Sequence, residues 1–170
     1  MNVHYKITTA PTAEPITLVE SKAQCLVESA YTADDVFITS AIIAAREYFE
    51  KVTGQLLMPQ TVKLAMSNFS ANRKISLGIS PVASITSITY QDSDNVGATL
   101  SSALYTFNDY ITPPIIELNY GESWPTTYDR SDAVVIEMVA GYASAALVPQ
   151  SSKNTLLMLV ASLYANRETV

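Results

Sequence analysis

Apolar and polar residues repeat with a helical period over residues 32–54, the longest such stretch in the chain. At about 100° per residue, the apolar positions fall within an arc of roughly 160°. We expect that arc to face the core, and it contains Phe37, Ile38, Ala41, Ile42, Ala44, Ala45, Tyr48, Phe49 and Val52. The opposite side carries Asp35, Thr39, Arg46, Glu47, Glu50 and Lys51. Thr32 with Asp35 predicts a capping box and Gly54 predicts a left-handed stop, so the pattern predicts a helix over residues 33–53.

Two aliphatic residues interrupt the polar side of this helix. Val36 and Ile43 are seven residues apart and form a thin apolar seam. They are either two stray exposed aliphatic side chains, which are common, or a second line of contact with another element or subunit.

Alternation with period two follows Gly54 and predicts strands over residues 61–66, 75–77, 84–90, 105–108, 115–118 and 133–142. Helices are also predicted over residues 17–27, where Thr17 and Glu20 form a capping box, and over 151–167. The expected class is α+β, a mainly helical body of three helices with a small antiparallel β-sheet or sandwich insertion. We expect an extended arm over 1–15, a helical body over 16–55 plus 148–170, and a β insertion over 56–147.

The content of charged residues and the net charge limit the kinds of partner that this chain is expected to bind. Charged residues make up 15% of the 170 residues, against about 25% in typical globular domains. A sparsely charged chain suggests surface that is covered by partners, and the alternative is a surface rich in Ser, Thr and Asn, of which this chain has many. The net charge of −6 argues against a groove that grips nucleic acid, although DNA could slide past such a surface.

Nothing in the sequence predicts transport out of the cell or insertion into a membrane. The first residues have no apolar signal region, and the longest apolar run, residues 156–160, is too short to span a bilayer. We therefore expect a cytosolic origin.

Residues suited to catalysis are scarce. His4 is the only histidine and Cys25 is the only cysteine, so we expect no catalytic residue, no metal site and no cofactor. Asp92, Asp94 and Gly97 match three positions of a calcium loop, but Val96 and Ala103 stand where ligand oxygens are required. A hairpin turn is the preferred interpretation of residues 92–97.

Four longer segments and one tripeptide resemble a known family in order and spacing. Residues 44–55, AAREYFEKVTGQ, resemble the "ARexvExxTGR" signature of phage head–tail connector (adaptor) proteins. Residues 16–26, 80–90 and 148–168 resemble the family's opening, middle and closing segments, and the end of the last predicted strand, Ala-Gly-Tyr at 140–142, resembles another part of it. Gln55 departs from the expected Arg, and Asn154 with Thr155 departs from a charged residue and Ala.

The resemblance implies a structural virion protein of the neck, assembled in the bacterial host cytoplasm, and no enzyme. Such proteins form a ring homo-oligomer, twelve-fold in this family, under the portal. The ring extends the DNA channel and docks the stopper or tail, so the implied partners are other copies of the chain, the portal protein, and stopper or tail proteins. DNA passes only as cargo, and no membrane is involved. The alternatives are another neck component, such as a stopper or tail-completion protein, and an uncharacterised α+β hydrolase.

The last predicted helix is apolar nearly all round, and such a helix must be covered on every side. We expect the side with Leu156, Val160, Leu163 and Arg167 to rest on the long helix. The other flank has Leu157, Ala161 and Tyr164, with Met158 beside them, and is expected to meet a neighbouring subunit or the portal. The β insertion folding over this flank is the alternative. The candidate interface residues are therefore Val36, Ile43, Leu157, Ala161 and Tyr164.

Overall fold

The computed structural model describes residues 4–167, without the side chain of His4. Over these residues the chain divides into two units, each formed by two separate segments. One unit comprises residues 4–10 and 59–141, and the other comprises residues 11–58 and 142–167.

The second unit is helical. It contains α1 (Leu18–Gln24), α2 (Asp35–Thr53) and α3 (Gln150–Ala165), with a 3-10 turn at Ala145–Leu147 before α3. Its core is formed by fully buried aliphatic side chains from all parts of the unit, including Ile16, Ile38, Ile42, Leu57, Leu156 and Val160. Burial of these side chains is the main stabilising contribution that holds α2 against α3.

Helix α1 begins as predicted and ends earlier. The Thr17 hydroxyl accepts from the Glu20 amide at 3.2 Å, and the Thr17 amide donates to the Glu20 carboxylate at 2.6 Å, which is a complete capping box. The helix stops at Gln24 rather than 27, because Leu26 adopts a left-handed conformation with φ 57°.

Helix α2 ends as predicted but begins differently. Gly54 has φ 68° and donates its amide to the Glu50 carbonyl at 2.9 Å, the left-handed stop that the sequence indicates. The predicted capping box at Thr32 is wrong, since Asp34 is the N-cap residue and makes no side-chain capping bond. Asp35 instead lies 2.5 Å from the buried ammonium group of Lys22.

The buried side of α2 also differs from the prediction. Ala44, Tyr48 and Val52 were expected in the core but are exposed. Arg46 and Glu50 were expected on the polar side but are buried. The buried side is therefore rotated toward the two charged residues, whose side chains bind each other.

The first unit is built from antiparallel strands. They are β1 (His4–Thr9), β2 (Gln60–Met66), β3 (Lys74–Ser76), β4 (Val82–Gln91), β5 (Gly97–Thr99), β6 (Tyr105–Asn108), β7 (Ile115–Leu118) and β8 (Val134–Ala140), with a 3-10 turn at Ser102–Leu104. Five of them form one sheet in the order β1-β2-β8-β4-β5, and three form a second sheet in the order β3-β7-β6. The central strand β8 alternates buried and half-buried residues, as its period-two sequence predicts.

Two strands lie where none was predicted. β1 falls within residues 1–15, expected to be an extended arm, and pairs with β2 with Tyr5 opposite Leu64. β5 follows the turn at residues 92–97 and pairs with the end of β4. The α+β class is confirmed, but helices and strands contribute 29% and 28% of the described residues, so a mainly helical chain is not confirmed.

Candidate assembly surface

The turn at residues 92–97 is a hairpin built by Asp92. Its carboxylate accepts from the amides of Asp94 and Val96 at 3.0 and 2.9 Å, and Asn95 adopts φ 59°. The carboxylate oxygen is thus used by the backbone, which is the behaviour of Asp in a tight turn.

No group of three or more His, Cys, Asp or Glu side chains within residues 4–167 could hold a metal ion. Partial burial raises the pKa of the Cys25 thiol, which makes it a poorer nucleophile at neutral pH. No helix in the described part of the chain is long and apolar enough to cross a membrane.

Arg46 and Glu50 form a buried ion pair in the helical unit. Arg46 Nη1 lies 3.0 Å from Glu50 Oε2, and Arg46 Nε donates to Glu14 Oε2 at 2.8 Å. The other Glu50 oxygen accepts from the Leu57 amide at 2.8 Å, which fixes the turn after α2. Burial disfavours the charge of Arg46, but its bonds with Glu14 and the charges of Glu14 and Glu50 prevail, so the pKa of Arg46 is raised. These two residues of the 44–55 segment therefore stabilise the fold.

A second polar cluster ties the end of α3 to the start of α2. Arg167 Nη2 and the Tyr164 hydroxyl donate to the same oxygen of Asp34, at 2.8 and 2.6 Å. The Arg167 guanidinium lies over the rings of Tyr164 and Phe37, at 4.1 and 4.9 Å from their centroids. We call Asp34, Tyr164 and Arg167 the clasp. The bonds from Arg167 and then Tyr164 lower the pKa of Asp34, and the bond to Asp34 raises the pKa of Tyr164.

The apolar seam on α2 is exposed. The exposed fraction is 84% for Val36 and 38% for Ile43, so neither side chain belongs to the core of the described chain. Whether these residues meet another subunit stays a prediction.

The flank of α3 that was predicted to meet another subunit or the portal is only partly exposed. Leu157 and Tyr164 are half-buried and pack against the helical core, and Ala161 is half-buried as well. The hydroxyl of Tyr164 is already bound to Asp34. Met158, beside this flank, is 68% exposed.

An open apolar surface lies on the other flank of α3, facing α2. Ala44 and Tyr48 of α2 and Leu159 and Leu163 of α3 line a concave surface of about 370 Å³. Ala44 and Leu163 also line an adjoining depression of about 260 Å³, which reaches Phe37 and Arg167. We call this continuous surface the groove, defined by Phe37, Ala44, Tyr48, Leu159 and Leu163.

The position of Leu163 in the groove contradicts the prediction that it lies in the core. Leu163 was expected to rest in the core against α2, but it is 42% exposed, and only Leu156 and Val160 of its predicted side are fully buried. Leu159 was not among the predicted interface residues. The sequence did indicate such an exposed apolar surface, because the apolar positions of the two helices span more surface than a single helix–helix contact can cover.

Comparison with known proteins gives the fold of the chain. No protein-family model matches the sequence, and no curated protein matches it. Among solved structures, a chain in "Virion of native gene transfer agent (GTA) particle" is similar with TM-score 0.82 and 23% identity, over 98% of this chain and 86% of that chain.

Two further structures have chains with the same fold. A chain in "Neck of empty GTA particle computed with C6 symmetry" has TM-score 0.81, and one in "Neck of native GTA particle computed with C12 symmetry" has 0.75. Both are 21% identical over 98% of this chain and 86% of theirs. Both units of the chain therefore have counterparts in single chains of these particles.

Proposed function

We propose that this chain is a structural neck protein of a phage or phage-like particle, in the role of a head–tail connector. Copies of it form a ring under the portal, extend the channel through which DNA passes, and dock the stopper or tail. The observation that carries the proposal is the fold itself, since chains from GTA virion and neck structures match 98% of this chain with TM-scores from 0.75 to 0.82.

Two properties of the chain support assembly. Val36, Ile43, Tyr48, Met158 and Leu163 leave apolar surface exposed on the helical unit, and exposed apolar patches on soluble proteins commonly mark interfaces. Only 15% of the residues are charged, so much of the surface can be buried against other subunits at low desolvation cost.

The symmetry of the similar neck structures supports a ring. Structures of GTA necks were computed with C6 and C12 symmetry. By analogy, this chain assembles around the particle axis as a twelve-fold ring, and its net charge of −6 lets DNA pass without adhering. In this proposal the function depends on the shape of the ring and on its contacts, and it requires no catalytic residue.

A gene deletion tests the proposal. Host cells in which the coding sequence has been removed should produce heads and tails that do not join, and a plasmid copy should restore complete particles. Normal numbers of complete, infectious or transducing particles from the deletion strain would refute a role as head–tail connector.

A position in another ring of the neck is the alternative, because two of the similar structures are of a GTA neck and the likeness singles out no particular ring within it. Gold-labelled antibodies against the chain separate the two. The connector role predicts label next to the head vertex, whereas a stopper or tail-completion protein places it at the tail side.

A further inference from the structure

We propose that the seam of one copy inserts into the groove of the next copy, so that each subunit uses both surfaces at once. This inference rests on the proposed ring assembly and names the surfaces that build it. The occupant of the groove is therefore a second copy of this chain.

The two surfaces lie on different sides of α2. At about 100° per residue, the seam residues Val36 and Ile43 are separated from Ala44 and Tyr48 of the groove by about 110° around the helix axis. A contact between two different patches is heterologous, and such contacts generate rings when the rotation closes. A seam pairing with itself would give only a two-fold dimer.

The seam is short enough to fit within the length of the groove. With about 1.5 Å of rise per residue, the seam from Val36 to Ile43 is about 10 Å long and the groove from Phe37 to Tyr48 is about 16 Å long. Seam residues at positions i and i+7 have the spacing of a coiled-coil ridge. Ala44, small and exposed, lies in the groove wall and lets a ridge approach closely.

The symmetry of the proposed ring fits helix packing. Neighbouring copies in a twelve-fold ring differ by a rotation of 30°, the full circle divided by twelve, so their α2 helices run parallel and cross at no more than that angle. One of the two favoured classes of ridge-into-groove helix packing has a crossing angle of about 20°, which lies within this limit, whereas the class near 50° would not fit.

Charges along α2 agree with the same parallel arrangement. Glu47 follows the seam residue Ile43 by one turn, and its side chain is 67% exposed. Lys51 is exposed one turn beyond Tyr48 on the rim of the groove. When the seam of one copy lies parallel in the groove of the next, Glu47 of the first copy approaches Lys51 of the second.

Complementation between two variants tests the inference. Val36→Asp destroys the seam and Leu163→Asp destroys the groove, while each variant keeps the other surface. Each alone should remain monomeric at concentrations where the wild-type chain associates. A mixture should form a one-to-one complex and nothing larger, because it contains a single matching pair of surfaces. Sedimentation velocity and native mass spectrometry measure these masses.

Matched controls keep the result interpretable. Val19 is an exposed apolar residue of α1 outside both the seam and the groove, so Val19→Asp should associate like wild type. Ile43→Asp and Tyr48→Asp repeat the test at second positions if either first variant fails to fold. Circular dichroism and thermal unfolding verify that each variant retains the fold.

Association of both variants at wild-type strength would refute the seam–groove contact while leaving the connector role, judged by gene deletion, intact. Two monomeric variants that fail to form the mixed complex would show that the surfaces do not meet. A wild-type chain that stays monomeric at every concentration would also contradict the inference.

Discussion

Arg46 and Glu50 lie one helical turn apart on α2 with their charged groups 3.0 Å apart, and both side chains are almost completely buried. Glu14 and the Leu57 amide complete the cluster at 2.8 Å each. The pair joins three separate parts of the helical unit, namely the segment before α1, α2 itself and the turn that follows it.

Glu50→Ala should destabilise the protein strongly, because it leaves the Arg46 charge without its buried partner and the Leu57 amide without its acceptor. Removing one member of a buried ion pair costs about 3–5 kcal/mol. Chemical denaturation measures the change. Glu28→Ala is the control, since Glu28 is exposed and lies outside this cluster, and it should change the free energy of unfolding by about 0.5 kcal/mol or less. Equal effects of the two substitutions would contradict this account of the cluster.

Two leucines of α3 should behave differently. Leu156 is fully buried and Leu163 is 42% exposed. Leu156→Ala should cost about 2–5 kcal/mol of stability, as for other buried leucines. Leu163→Ala should cost about 1 kcal/mol, because part of its surface is already in water. Denaturation of the isolated protein compares them, and a larger cost at Leu163 would show that the groove is closed in solution.

The clasp should weaken in acid. The pKa of Asp34 is lowered in the folded protein, first by the bond from Arg167 and then by that from Tyr164. The stability that this carboxylate provides is therefore present above its unfolded-state pKa and is lost as pH falls through the lowered folded-state pKa. The difference in unfolding temperature between wild type and Asp34→Asn should be present at neutral pH and vanish in strong acid.

Titration of Asp34 by NMR provides the matching measurement. In the wild-type protein its pKa should lie below the ordinary aspartate value, and Arg167→Gln should move it upward. An Asp34 pKa that Arg167→Gln leaves unchanged would mean that the clasp is not formed in solution.

We expect no tight, sequence-specific binding of DNA. The net charge is −6, and the chain has only 10 Lys and Arg residues against 16 Asp and Glu. Any binding to duplex DNA should be weak and should fall steeply with salt, since it depends on neutralising phosphates. Titration of labelled DNA at low and physiological salt measures this, and a nanomolar complex that survives physiological salt would be incompatible with the proposal.

Local sequence signals predicted the ends of several elements correctly. Thr17 with Glu20 specifies the start of α1, Gly54 specifies the end of α2, and Asp92 builds a hairpin turn. Each of these features depends on residues close together in the chain. The missed strand β1 instead depends on pairing with β2, more than fifty residues away, which no local pattern of residues 4–9 reveals.

The side of α2 that faces the core could not be predicted from amphipathicity. A helical projection places Arg46 and Glu50 with the polar residues, whereas their mutual bonds allow them to be buried. The rotation that results leaves Ala44 and Tyr48 exposed and creates the groove. The seam residues Val36 and Ile43 were singled out from the sequence, and the groove between α2 and α3 was not.

Electron microscopy of the purified protein, alone and with the portal protein encoded by the same genome, tests the central claim most directly. The account predicts closed rings with rotational symmetry and a central opening wide enough for duplex DNA, and rings that are lost in Val36→Asp and retained in Val19→Asp. Two-fold dimers, open filaments, or particles that stay monomeric under both conditions would contradict it.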